Sequence, residues 1–185
     1  MIKIDNIGNL KECRIWLEDL PSTECEVVEV LSSVLETSNT MSGSNQNIAI
    51  ELFVAPRYYA LLGIEYVYKE TNDIEIFVNI TKDTGKVVTD SLALSSDNVH
   101  SGISKEYAQT ILNTSPKILM DLKGIPSGII TFNTGGYGDY GSNQVIFSKV
   151  AGILIRLLVG VQGGTGLEGL KNVVRTELEK PLTDI

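Results

Sequence analysis

Residues 135–158 read GGYGDYGSNQVIFSKVAGILIRLL, and the fold turns on how this stretch is parsed. Its first half concentrates the small or turn-forming residues Gly135, Gly136, Gly138, Gly141 and Ser142, where a backbone bends sharply without steric cost. In its second half Phe147, Val150, Ala151, Leu154, Leu157 and Leu158 recur at spacings of three and four, the period of a helix with one buried face. Burial of each large side chain in that set is worth about 1.5 to 3 kcal/mol. Ser142 stands where an N-cap is expected, and the preceding segment GIITFN (128–133) has the character of a strand. The unit therefore reads strand, glycine loop, buried helix. Such a loop is either a structural corner or a cradle for an anion.

Composition narrows what surrounds this unit. A chain of 185 residues with 43% hydrophobic and 21% charged residues suits one globular domain or two small ones. A net charge of −8 argues against general nucleic-acid binding through phosphates, which needs a lysine and arginine surface, and leaves a basic protein partner open. Cys13, Cys25 and the single histidine, His100, give neither a disulfide framework nor a metal-ligand spacing, so no metal and no cofactor are expected. The start of the sequence has no basic-then-apolar signal pattern. The apolar run near 150–161 contains Arg156 and falls short of the ~20 residues of a membrane helix, so a cytoplasmic chain without membrane contact is the expectation.

Along the chain, KECRIWLE (11–18) alternates like a strand, with Trp16 as a core residue. Thr23 and Glu26 have the spacing of a capping box, and Val27, Val28, Leu31, Val34 and Leu35 then predict a helix that ends in the polar loop 37–47. Residues 48–68 are ambiguous: Pro56 separates an apolar element from a turn of helix or an edge strand, and Gly63 marks a second break. Ile74, Ile76, Val78 and Ile80 alternate with Glu75, Phe77 and Asn79, which predicts a strand forming a hairpin with IEYVYKE (64–70). A second turn at Lys82, Asp83, Thr84 and Gly85 leads into VVTDSLAL (87–94). Ile103, Tyr107 and Ile111 predict a helix from Ser104, closed or kinked by Pro116, and Leu167, Leu170, Val174 and Leu178 predict a last helix over 167–179.

Three blocks in the second half resemble one family. Gly102-Ile103-Ser104-Lys105-Glu106-Tyr107 is similar to a G-x-P-x-E-Y helix start, and Gly124-Ile125-Pro126 to a glycine–apolar–proline turn. Tyr137, Asp139, Ser142, Phe147 and Ala151 fall at the spacing of a Y-x-D-x-x-S…F…A loop and helix. Together, residues 102–151 resemble domain IV of bacterial elongation factor G and the tetracycline ribosomal protection proteins. Residues 50–71 carry a fainter likeness to the end of domain III and its join to domain IV. The resemblance implies a ribosomal-protein-S5-like fold, strands followed by helix, strand and helix. It also implies a ribosome or translation factor as partner. The family has a histidine after the loop tyrosine where this chain has Gly138, and no G-x-x-x-x-G-K-[ST] loop occurs here.

Other chemistry weighs less. Gly164 to Gly169 is formally a G-x-G-x-x-G, but a turn capping the last helix is the expected role. His100 lies beside Asp97 and Ser101, as expected of a solvated loop histidine, and Asp139 with Glu106 is a possible carboxylate pair that no spacing selects. The glycine stretch could hold phosphate in the manner of small-molecule kinases on the same broad fold.

The expectation is thus an α/β (α+β) chain: an S5-like sheet with helices on one face over 64–185, and an N-terminal strand–helix region over 1–63. Its expected function is a non-catalytic, translation-associated protein-binding module, with no catalytic residues and with contacts through Gly136, Tyr137, Gly138, Asp139, Tyr140 and Ser142. The alternatives are an immunity or antitoxin protein that binds a basic toxin, and a degenerate phosphate-binding S5-like enzyme. Oligomeric state is left open.

Overall fold

Runs of alternating or unbroken apolar residues pair into a mixed eight-stranded sheet. The computed structural model describes residues 1–4, 11–37, 41–82, 85–122 and 124–185. Its strands are β1 (Ile2–Ile4), β2 (Lys11–Leu17), β3 (Val27–Glu36), β4 (Gln46–Val54), β5 (Tyr58–Tyr68), β6 (Asp73–Thr81), β7 (Val99–Ser101) and β8 (Gly128–Gly138). The helices are α1 (Lys105–Leu122), α2 (Gln144–Gln162) and α3 (Leu167–Glu179). In space the strands run β1-β2-β4-β5-β8-β6-β3, with β7 added on the end of β8. All pairs are antiparallel except β6 with β8, which α1 connects as a parallel crossover.

The class is α+β, and from β4 to α2 the elements run strands, helix, strand and helix. One face of the sheet carries the helices. Ile48, Ile50, Leu52, Leu62, Ile64, Ile76, Val78, Ile130 and Phe132 meet Ile111, Phe147, Val150, Leu154 and Leu158 there in a single buried core. By length and composition α2 could cross a membrane, but most of it is buried as the central helix of that core. On the opposite face a small cluster of Tyr59, Leu61 and Val99, joined by Trp16, Val88, Leu92 and Ala93, lies under the 86–101 segment.

Several expectations need correction. The predicted helix after Thr23 is strand β3: Val27, Val28, Val30 and Val34 are β-branched, and the segment pairs antiparallel with β6. Residues 64–70 and β6 form no hairpin, because β8 inserts between β5 and β6. Pro56 does mark a break, between β4 and β5, but the segment beyond it is a central strand, with a register shift at Gly63. The segment 87–94 contributes only an isolated bridge from Val87 to His100, while Asp83 and Thr84 lie outside the described residues. Pro116 does not end α1, since Ile118 and Leu119 beyond it are buried in the same core as Ile111 before it. The N-cap of α2 is Asn143, whose side chain accepts from the Ile146 N–H at 3.1 Å, and not Ser142. The boundary expected at 63/64 falls inside β5, and residues on both sides of it share one sheet and one core.

Candidate functional site

The glycine stretch continues strand β8 and then closes as a tight corner. Gly135 and Gly136 are strand residues opposite Leu62 and Leu61, and Gly136 and Gly138 also pair with β7. A side chain at Gly135 would meet the Gly102 carbonyl and Ile103 at 2.5 Å, so glycine is the residue that lets β8 pass there. Beyond Gly138 the chain wraps the Asp97 carboxylate. Tyr140 N–H donates to Asp97 Oδ1 at 3.0 Å and Gly141 N–H to Oδ2 at 2.8 Å. Gly138 N–H donates to Ser142 Oγ at 2.9 Å, Asp139 N–H to the Asn98 carbonyl at 3.1 Å, and Ser142 Oγ donates to the Tyr59 carbonyl at 2.7 Å. A phosphate cradle needs free amides at this point. Here a carboxylate of the chain itself occupies them.

Of the expected contact residues, Gly136, Gly138 and Ser142 are therefore built into the corner. Tyr137 is half-buried, with its ring 5.7 Å from His100 and 5.8 Å from Tyr107, which in turn stacks on Phe147 at 4.2 Å. Burial, helped by the Glu106 charge and by Tyr137, pushes the Tyr107 hydroxyl up to about 12. Asp139 and Tyr140 reach solvent, Tyr140 at 73% exposure. Asp139 is bound by His100 Nε2 at 2.9 Å and by Asn98 Nδ2 at 3.3 Å. His100 is thus a partly buried partner of Asp139 rather than a solvated histidine beside Asp97 and Ser101. Asp97 holds the corner, and Ser101 Oγ donates to the Glu24 carbonyl at 2.8 Å, so the three form no relay. Of the stretch Gly164 to Gly169, Gly164 with φ +75° and Gly166 as the N-cap of α3 take the turn and capping role expected of it, while Gly169 lies inside α3.

Two buried ionic centres escaped the sequence reading. Glu51 on β4 accepts from Tyr59 Oη at 2.9 Å and from Leu92 N–H at 2.8 Å, and pairs with Arg14 at 3.3 Å. Arg14 also binds Asp90, so this centre pins the 86–101 segment onto the sheet. Burial pushes the Glu51 carboxyl above its ordinary range against those bonds, and the same burial together with Glu51 pushes the Tyr59 hydroxyl up. The second centre joins α2 to α3. Lys149, with its side chain 1% exposed, lies 3.6 Å from Glu177 and donates to the Asp184 carbonyl at 2.6 Å, while Arg156 and Lys180 reach Glu177 at 3.3 and 2.6 Å. Burial works against the Glu177 charge, but the Lys180 hydrogen bond and the fields of Arg156, Lys180 and Lys149 outweigh it and hold the carboxyl below its ordinary range. A signal for both was present: a glutamate inside the apolar run IAIELFV and two cations inside an otherwise apolar helix demand partners.

The 86–101 segment covers the side of the sheet around β2, β4 and the start of β5, and among the described residues no segment covers the side toward β3 in the same way. Register defines two rows of side chains across this open half. One runs Val34, Glu75, Ile129, Val67, the other Ser32, Phe77, Thr131, Glu65. Val34 and Glu65 are exposed, while Phe77, Ile129 and Val67 are half-exposed and belong to neither apolar cluster. Among the described residues, no group of three or more histidine, cysteine, aspartate or glutamate side chains is placed to hold a metal ion. No family model, curated protein or solved structure matches this chain.

Proposed function

We propose that this chain is a non-catalytic protein-binding module that takes its partner on the open half of the sheet. The carrying observation is the pair of cross-strand rows, where Phe77, Ile129, Val67 and Val34 offer apolar area and Glu65 and Glu75 stand among them. A contact of this kind gains from desolvating the apolar side chains and selects its partner by charge. With a net charge of −8 on the chain, that partner presents lysine or arginine around an apolar patch. The resemblance to domain IV of elongation factor G makes a ribosome or translation factor in the cytoplasm the first partner to test. The charge of the face equally serves the second reading, an immunity-type protein against a basic toxin. Occupation of the Gly138 to Gly141 corner by Asp97 speaks for binding over phosphate chemistry.

The test is affinity purification from the native host and cosedimentation with ribosomes at low salt, comparing the parent with Phe77→Ala and Glu75→Lys. A basic partner retained by the parent and weakened roughly 10-fold or more by each variant is the expected result. Retention that survives both variants but is lost in Tyr140→Ala would move the contact to the Asp139 and Tyr140 tip and overturn this assignment.

A further inference from the structure

Strand β3 ends the sheet on its open side, with β6 on its inner edge and, among the described residues, no strand on its outer edge. Proteins ordinarily blunt such edges with short strands, prolines, lysines or bulges. The opposite edge, β1, has three residues, whereas β3 has ten, with no proline or lysine and with a register shift only between Val27 and Glu29. Val30 and Val34 are exposed at 49% and 63%. Of the carboxylates nearby, Glu29 is matched within the chain by Lys105 at 2.9 Å, Glu26 by Lys82 at 3.6 Å, and Glu24 by Lys86, which leaves Glu36 at the end of the strand as the charge on this edge. This edge therefore offers backbone groups and apolar side chains more than charge.

We infer that β3 pairs antiparallel with β3 of a second copy of this chain, about a two-fold axis through Ser32. Directly opposed residues of an antiparallel pair share a face of the sheet. With the axis at Ser32, Val30 stands opposite the partner's Val34, Val34 opposite the partner's Val30, and Ser32 opposite the partner's Ser32. Leu31 then meets the partner's Ser33, Glu29 the partner's Leu35, and Val28, at the register shift, the partner's Glu36, so no carboxylate faces another. Moving the axis to Leu31 sets Glu26 against the partner's Glu36, and moving it to Ser33 sets Val30 against the partner's Glu36. Of these three registers Ser32 is the one that opposes Val30 with the partner's Val34; the Leu31 axis opposes Val28 with the partner's Val34, but Val28 lies at the register shift and Glu26 then faces the partner's Glu36. It keeps the helices of both copies on one side and joins their open half-sheets into one continuous face.

Sedimentation or light scattering over a concentration series is expected to show a species of twice the 20.1 kDa chain mass, and Val34→Lys is expected to return it to the single mass with an unchanged circular dichroism spectrum. Register is read by mild oxidation in a Cys25→Ser background, which leaves only the buried Cys13. Ser32→Cys is expected to cross-link to itself, and Val30→Cys to cross-link when mixed with Val34→Cys but not alone. A single-chain mass at every concentration, or protection of β3 amides only when another protein is added, would overturn the dimer, and self-cross-linking of Val30→Cys without that of Ser32→Cys would overturn its register. Phe77→Ala is expected to leave the mass unchanged, so loss of the partner reading and loss of the dimer are separately visible.

Discussion

Asp97 puts a carboxylate where a phosphate loop holds its phosphate, and two backbone amides close on it. Replacing it leaves those donors without a charged acceptor, so Asp97→Ala should cost about 2 kcal/mol, a value typical of hydrogen bonds to a charged group. Urea denaturation measures this. Added sulfate should recover part of the lost melting temperature in Asp97→Ala and none in the parent, and a variant that melts like the parent would show the contact to be idle. Glu51 gives a second prediction at this scale. Because its folded-state value is raised, its contribution to stability is fully present below the unfolded value near 4.5 and is lost as pH rises through the folded one. Glu51→Gln should therefore gain on the parent as pH rises through that range, and parallel stability–pH curves for the two would contradict the account. Neither residue announced its partners in the sequence, since Glu51 meets Leu92 and Arg14, and Asp97 meets Tyr140, only through tertiary structure.

Elements with one consistent period were legible. The alternation of Ile74, Ile76, Val78 and Ile80 gave β6, and the three-and-four spacing of Phe147 to Leu158 gave α2. β3 was not, because VVEVLSSVLE places apolar residues at both periods, and the choice is made by pairing with β6 rather than by local preference. The glycines of β8 were read as a loop because the close approach of Gly102, Leu61 and Asp97, which calls for glycine, comes from distant chain. Charged residues on α2 and α3 yield the prediction for this scale. Glu177→Ala strands the buried Lys149 and should cost about 3 kcal/mol, the low end for breaking a buried ion pair because Arg156 and Lys180 reach solvent. The depressed carboxyl of Glu177 supplies stability above its unfolded value, lost as pH falls through the folded one. The gap between parent and variant should accordingly narrow in acid. A gap independent of pH would show that packing alone is at stake.

For the molecule as a whole, the filled corner and the one-sided placement of the helices bear on ligands first. ATP and GTP are expected to leave the melting temperature unchanged, while a cognate basic protein should raise it by mass action. A nucleotide-dependent rise would restore the phosphate-binding reading. The strand order carries a further consequence, for how the chain acquires its shape. β1, β2, β4 and β5 can zip together from the first 68 residues, and β6 can join β3, but nothing links those two half-sheets until β8 arrives from residues 128–138. β8 is thus a keystone laid late, and a growing chain on the ribosome carries two unjoined edges until it emerges. Hydrogen exchange during refolding should show amides of β5 and β6 that face β8 gaining protection together with β8, after those between β4 and β5.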